Sequence, residues 1–250
     1  MSPATANSKK NNATPRKSKH DEAAQNLSRQ NLVGGIAASD SARVNIRQIV
    51  HPPLSEIAEE RERQKSELEM LQEAIAQKFS DWHRLINSTT PIAGNPYLFL
   101  QPFGFSDRTR FFGREDILSE LMRQMRGNLG TFLCGNHGVG KTSLIKAGLV
   151  PSLLARGHLP LVISATREPL ESSIKKYLLP NADNLQFLKT MSLTGFIRIV
   201  ASALPEGKKL YVLVDDFEEF FEREESERDA FHTEWLRCFN GACPNVRWLF

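Results

Sequence analysis

The sequence predicts an α/β fold in which a parallel β-sheet is covered by helices on both faces. Short apolar runs, each suited to a buried strand, alternate with stretches whose apolar residues recur at helical spacing. One run leads into a glycine-rich loop, Gly135 to Ser143, and another ends in a pair of aspartates, Asp215 and Asp216. Strands that alternate with helices form parallel sheets that are buried on both sides. These features predict the fold class of residues 95–250.

The first fifty residues are polar and basic. Ser, Asn, Ala and Thr surround a cluster of cations, namely Lys9, Lys10, Arg16, Lys17 and Lys19. Such a segment lacks the apolar side chains that offset the entropy cost of ordering, so residues 1–50 are predicted to be a disordered basic tail. A formal charge of +3 over the whole chain is too small to indicate a nucleic-acid partner.

The apolar runs and the cysteines bear on the cellular compartment. No apolar run approaches the length of a membrane span, and the amino terminus has no signal-peptide core. The cysteines Cys134, Cys238 and Cys243 are odd in number and are not spaced as zinc ligands. Cys134 falls in a predicted strand and is expected to be a small core residue. Together these features predict a reducing, cytoplasmic environment without membrane contact.

A long amphipathic helix is predicted over residues 54–86, which contain no glycine and follow Pro52 and Pro53. Ten residues fall on the a and d positions of a heptad, and most of them are apolar: Leu54, Ile57, Arg61, Gln64, Leu68, Leu71, Ile75, Lys78, Trp82 and Leu85. This stripe either pairs with a second copy as a short coiled coil or lies on the chain's own domain. The polar Arg61 and Gln64 weaken the coiled-coil alternative.

After a linker at residues 87–96, strands and helices are predicted to alternate. Strands are expected over residues 131–135, 159–165, 209–215 and 246–250. Helices are expected over residues 114–126, 143–157, 170–179, 194–204 and 226–239. Pro151 should end or kink the second of these helices, because proline donates no backbone hydrogen bond.

The loop GNHGVGKTS matches the phosphate-binding pattern G-x-x-x-x-G-K-[ST] and lies between a predicted strand and a predicted helix, as that pattern requires. Its glycines let successive backbone N–H groups turn toward a phosphate. Lys141 is expected to bridge the β- and γ-phosphates of a nucleotide, and the Thr142 hydroxyl to bind Mg²⁺. The predicted nucleotide-binding residues of the loop are Gly135, Asn136, His137, Gly138, Val139, Gly140, Lys141, Thr142 and Ser143.

The run KLYVLVDDFEEFF, which starts at Lys209, supplies the acidic groups that such a loop needs. A strand of this kind delivers a carboxylate beside the phosphate loop, and Asp215 is the first acid after the apolar residues. Asp215 is therefore the predicted partner of Mg²⁺. A following acid is expected to orient the attacking water, and Asp216, Glu218 and Glu219 compete for that role.

With these motifs placed, NPYLFLQPFGFSDRTRFFGRED, from Asn95 to Asp116, resembles the opening of the STAND-class P-loop NTPases. More narrowly it is similar to the novel STAND branch, which occurs in bacterial signalling and antiviral proteins. SLIKAGLVPSLLARG and VLVDDFEEFF resemble later parts of the same family. The resemblance covers residues 95–250 and excludes the basic tail and the heptad helix.

The resemblance implies several roles. The turn at Gly113, Arg114 and Glu115 should lie near the adenine of ATP, Asp215 should associate with Mg²⁺, and Asp216 departs from the family pattern. The candidates for the catalytic acid remain Glu218, Glu219 and Asp216. The fourth strand should insert between the acidic strand and the phosphate-loop strand. Since further parts of the family's domain would follow it, the chain is expected to be a truncated NTPase domain.

Two functions follow from these features. The first is an ATP-binding signalling switch that uses Mg²⁺, and the residues leave open whether it hydrolyses ATP slowly. The alternative is a nucleotide-binding or scaffold protein that does not hydrolyse ATP and self-associates through residues 54–86. A GTPase is disfavoured because the sequence contains no N-K-x-D motif for reading guanine. A small-molecule kinase is disfavoured because it has no role for the Asn95–Asp116 segment.

Overall fold

Four parallel strands form the centre of the computed structural model, which describes residues 53–88, 98–99, 101–165 and 168–250. The strands are β1 (Gly130–Thr131), β2 (Leu159–Ser164), β3 (Leu210–Asp215) and β4 (Val246–Leu249). They lie in the order β1-β4-β3-β2. The fourth strand thus lies between the acidic strand β3 and the phosphate-loop strand β1, which confirms the expected strand order. The predicted basic tail, residues 1–50, lies outside the described residues.

The helices confirm the predicted alternation. They are α1 (Leu54–Asn87), α2 (Glu115–Gly127), α3 (Lys141–Ser143), α4 (Val150–Leu154), α5 (Leu170–Leu178), α6 (Gln186–Thr190), α7 (Leu193–Ser202) and α8 (Glu225–Arg237). Two π-helical segments (Leu144–Leu149 and Cys238–Ala242) and three 3₁₀ helices (Phe105–Arg110, Ala182–Asn184 and Phe217–Glu222) complete the described elements. The short helix α6 was not predicted, because one turn is too short to show a helical period.

The sheet is covered on both faces, as predicted. Alternate residues of a strand point to opposite faces, and in β3 all six residues are buried. Val212 and Val214 belong to a core formed with α5 and α7. Tyr211 and Leu213 belong to a second core, formed with α2 and the helix that follows the phosphate loop. Burial on both sides explains why the strand sequence is a continuous apolar run.

The phosphate-loop strand starts earlier than predicted. Its ladder with β4 begins at the Leu129 carbonyl, which accepts from the Trp248 N–H at 2.8 Å. The ladder ends where the Leu133 N–H donates to the Phe250 carbonyl at 2.6 Å. Cys134, expected in the core, is instead exposed, since it lies beyond this ladder. Residues 134 and 135 therefore belong to the loop rather than to the strand.

The helix after the loop continues through Pro151 and therefore does not end there. Three consecutive segments, α3, the π-helical Leu144–Leu149 and α4, run without a break from Lys141 to Leu154. Pro151 lies in the first turn of α4, immediately after the π-helical segment. A missing proline N–H is tolerated at the start of a helical segment, and the change from i→i+5 to i→i+4 bonding creates such a start.

Helix α1 lies on the chain's own domain along part of its apolar stripe. Leu71 and Ile75 are 0% and 2% exposed and join the core of α5 and α7. The buried carboxylate of Glu67 accepts a hydrogen bond from the Leu188 N–H at 2.9 Å. Residues 59–250 accordingly form one compact unit. Of the other unit, residues 1–58, the structure describes residues 53–58, which lead into and begin α1.

Within the part of the chain that the structure describes, no helix combines the length and the apolar character that a membrane crossing requires.

Candidate nucleotide site

The glycine-rich loop leaves β1 at the carboxyl edge of the sheet and turns into α3. Two of its glycines have left-handed backbone angles, with φ of +77° at Gly138 and +98° at Gly140. Residues with a side chain rarely adopt these angles, which explains the glycines at these positions. Lys141 directly follows as the first residue of α3. The loop can therefore bend sharply and present its backbone N–H groups at the start of a helix, an arrangement that suits an anion.

The Lys141 ammonium lies over the loop and connects it to the segment after β3. Its Nζ donates to the Gly135 carbonyl at 2.8 Å and lies 3.3 Å from Oε1 of Glu218. The pKa of Glu218 is lowered, first by a hydrogen bond from its own backbone N–H and further by Lys141. Glu218 is more than half exposed, so this ion pair contributes little to stability and is easily exchanged for another partner.

Asp215 ends β3 as a nearly fully buried carboxylate facing the helix after the loop. Its Oδ1 accepts a hydrogen bond from the Thr142 hydroxyl at 3.0 Å. Its Oδ2 lies 3.1 Å from the Lys146 ammonium, yet accepts no hydrogen bond of good geometry among the described residues. The predicted pair of Thr142 and Asp215 is thus in direct contact, although the two residues lie 73 positions apart in the chain.

The donor set at this contact suits a hard cation. Because the Thr142 hydroxyl gives its proton to Asp215, the lone pairs of its oxygen remain available on the loop side. The second carboxylate oxygen is buried without a hydrogen bond. Hydroxyl and carboxylate oxygens are the ligands that Mg²⁺ takes in proteins. The residues present therefore fit the metal that the motif implies.

Two cavities flank the loop and share Phe103, Gly140, Lys141 and Ser143. The first, of about 420 Å³, is lined in addition by Arg110, Phe111, Phe112, Arg114, Ile117, Leu133, Cys134, Gly135, Val139 and Leu144. The second, of about 320 Å³, is lined in addition by Phe99, Gln101, Pro102, Asn136, His137, Gly138, Thr142, Asp216 and Glu218. The first cavity is largely apolar and aromatic, whereas the lining of the second includes two acidic side chains, Asp216 and Glu218.

The structure places most of the predicted site residues around these cavities. Arg114 lines the first cavity, and its Nη2 lies 3.4 Å from the Val139 carbonyl. Glu218 lines the second cavity, whereas Glu219 is exposed and lines neither. The hydroxyl of Ser143 accepts a hydrogen bond from the Phe103 N–H at 3.1 Å, so it anchors the segment before α2. Ser143 can thus offer the site its backbone N–H rather than its hydroxyl.

Sequence reasoning missed the side chains that form the walls of the first cavity. Phe103, Phe111 and Phe112 occur in the stretch PFGFSDRTRFF, whose repeated phenylalanines could have indicated an aromatic surface. Phe103 and Phe111 are in contact, with ring centroids 5.9 Å apart. Lys146 was also missed, because one lysine in an amphipathic helix carries no distinguishing signal.

Comparison with known proteins agrees with this geometry. A family model described as Novel STAND NTPase 1 matches residues 96–246, which is more than half of the chain. No curated protein and no solved structure matches the chain. The matched segment contains the phosphate loop, the Thr142–Asp215 contact and every residue that lines the two cavities. The chain therefore belongs to the novel STAND NTPase 1 family.

Proposed function

We propose that this domain binds ATP with Mg²⁺ and acts as a cytoplasmic nucleotide-dependent signalling switch that slow ATP hydrolysis resets. One observation carries the proposal. The ammonium of Lys141, the hydroxyl of Thr142 and the carboxylate of Asp215 lie at a loop whose glycines adopt left-handed backbone angles, at the edge of a parallel sheet. Nucleotides bind at this edge in open α/β sheets.

Each group has a chemical role in this proposal. The backbone N–H groups of residues 136–143 cradle the phosphates, and the start of α3 adds its positive dipole end. Lys141 exchanges its contact with Glu218 for the phosphate oxygens, which carry more charge. Thr142 holds Mg²⁺ together with Asp215. When bound, Mg²⁺ neutralises phosphate charge.

The cavity lined by Phe111 and Phe112 supports adenine rather than guanine as the base. Its volume of about 420 Å³ lies within the range of small-molecule sites. None of the described residues that line it is an aspartate or a glutamate. A guanine ring presents N–H donors that call for such an acceptor, and leaving them unpaired in an apolar cavity is unfavourable.

Calorimetric titration of the chain with Mg·ATP and, in parallel, with Mg·GTP tests this proposal. We expect saturable binding of Mg·ATP and at least about fivefold weaker binding of Mg·GTP, because one unpaired buried polar group costs about 1–3 kcal/mol. Equal affinities would contradict the assignment of the base cavity. An absence of binding by a folded chain would contradict the function itself.

The contact between Lys141 and Glu218 supports the idea of a switch. A ligand shifts a conformational equilibrium only if it interacts differently with the two states. Lys141 joins the loop to the 3₁₀ helix Phe217–Glu222 through Glu218. Transfer of Lys141 to phosphate releases Glu218 and frees that helix to rearrange. The scaffold alternative loses support, because the domain itself covers Leu71 and Ile75 of the α1 stripe.

Glu218 is the acid that we propose to orient the attacking water, since it lines the cavity beside Lys141. We expect Glu218→Gln to bind Mg·ATP as tightly as the parent chain and to hydrolyse it about 100-fold more slowly, which is the lower range for loss of a general base. Phosphate release under single-turnover conditions measures the rate.

Glu219→Gln is the matched control, because this neighbouring acid is exposed and lines neither cavity. We expect its turnover to equal that of the parent. A loss of turnover in Glu219→Gln together with normal turnover in Glu218→Gln would reverse the two assignments.

A further inference from the structure

The buried carboxylate of Asp215 has a cation of the chain itself beside it. The side chain of Asp215 is 4% exposed, and the ammonium of Lys146 lies 3.1 Å from its Oδ2. A buried carboxylate without a compensating charge is strongly destabilising. Thr142 supplies one neutral hydrogen bond to the other oxygen. Lys146 is therefore the charge that balances Asp215.

The position of Lys146 allows this contact to be reversible. Lys146 lies in the π-helical segment, four residues after Thr142, so both side chains reach the carboxylate from the same side of the helix. Its side chain is 41% exposed, in contrast to its buried partner. A long, partly exposed lysine side chain can move its ammonium into water at little cost. Asp215 cannot follow it, because it is buried at the end of β3.

We propose that Lys146 is a tethered counter-ion that occupies the cation position at Asp215 and gives it up when Mg²⁺ arrives. The oxygen that faces Lys146 is the buried carboxylate oxygen that lacks a hydrogen bond, so a metal-bound ligand can reach it only after Lys146 has moved away. Lys146 and the metal then compete for one oxygen. Competition keeps the affinity for free Mg²⁺ low and ties metal binding to the nucleotide, which brings further oxygen ligands. The inference uses the Mg²⁺ site of the proposed function, but it can be tested without nucleotide.

The test replaces Lys146 with methionine, which keeps most of the side-chain length and removes the charge. Without metal, we expect the Tm of Lys146→Met to fall by about 5 °C or more, because Asp215 loses its balancing charge. Addition of about 20 mM MgCl₂ should raise the Tm of this variant by about 2–4 °C, the shift expected for a metal at about four times its Kd. The parent chain should shift by less than about 1 °C in the same salt. NaCl at about 60 mM controls for ionic strength.

Two further variants isolate the competition. Lys146→Arg keeps the charge and should respond to MgCl₂ as the parent does. The double variant Lys146→Met with Asp215→Asn removes the carboxylate, so its Tm should not change on addition of MgCl₂. Binding of Mn²⁺ without nucleotide, measured by the loss of the free-ion EPR signal, should be at least about tenfold tighter for Lys146→Met than for the parent.

Equal Mg²⁺ and Mn²⁺ responses of Lys146→Met and the parent would overturn the proposal. If Lys146→Met is unfolded without metal, folding on addition of Mg²⁺ supports the proposal. If that variant and Lys146→Gln both stay unfolded with Mg²⁺, Lys146 is only a structural counter-ion and the proposal is wrong. A chain that passes this test and fails to bind ATP would contradict the proposed function and leave the role of Lys146 intact.

Discussion

Replacement of Lys141 with alanine is expected to lower the affinity for Mg·ATP by about 30-fold or more. The ammonium already lies against the loop, 2.8 Å from the Gly135 carbonyl. Removal of one partner of a desolvated, hydrogen-bonded charge pair costs about 2–5 kcal/mol, and each 1.4 kcal/mol is a factor of ten in Kd. Calorimetric titration with Mg·ATP measures the change.

Two measurements show whether Lys141→Ala acts through the phosphate site rather than through a loss of folding. Within the described part of the chain, the Lys141 ammonium pairs with a carbonyl and a half-exposed carboxylate and no other polar group, so Lys141→Ala should unfold at nearly the same temperature as the parent. Lys65→Ala, a change at an exposed lysine of α1, should bind Mg·ATP with the parent affinity. If Lys141→Ala bound Mg·ATP as tightly as Lys65→Ala does, the phosphate site would have to lie elsewhere.

The second large effect concerns α1. We expect Leu71→Ala to lower the free energy of unfolding by about 2–5 kcal/mol, the range measured for leucine removal from packed cores. Leu71 is 0% exposed and packs in the core formed with α5 and α7. Its neighbour Met70 is 47% exposed, so Met70→Ala is the matched control and should change stability by less than about 0.5 kcal/mol. Urea unfolding of the full chain measures both values.

This comparison also separates the two interpretations of the heptad stripe. If Leu71 packs against its own domain, the stability of the parent chain is independent of protein concentration. If the stripe were instead the seam of a coiled coil, stability would rise with concentration, and Leu71→Ala would remove that dependence. Equal stabilities of Leu71→Ala and Met70→Ala would contradict the packing of α1 described above.

Helix α1 illustrates what periodicity can and cannot predict. The apolar spacing over residues 54–86 predicted a helix that the structure extends by one residue, because a 3.6-residue period is a local property of the sequence. The same spacing did not indicate whether the apolar stripe packs against a second copy of the chain or against its own domain. Apolar side chains bury against any apolar surface, and here that surface comes from α5 and α7, which start 99 and 122 residues after Leu71.

The sequence also could not indicate which of the acids after β3 reaches the site. Three carboxylates, Asp216, Glu218 and Glu219, follow Asp215 within four positions, and their chemistry is alike. Their directions depend on the backbone: Asp216 has a left-handed φ of +55° and leads β3 into a 3₁₀ helix. That turn brings Glu218 to Lys141 and leaves Glu219 in solvent. Residue type alone carries no information about this geometry.

The sequence by itself determined the alternation of strands and helices, the phosphate loop and the acid that ends β3, because each is encoded by residues that are neighbours in the chain. Only the tertiary structure decided which groups share the site. Lys141 and Glu218 lie 77 positions apart, and Asp215 meets Thr142 and Lys146 only because β3 lies two strands from β1 in the sheet. Contacts over such separations depend on the order and packing of the elements, which no local pattern in the chain encodes.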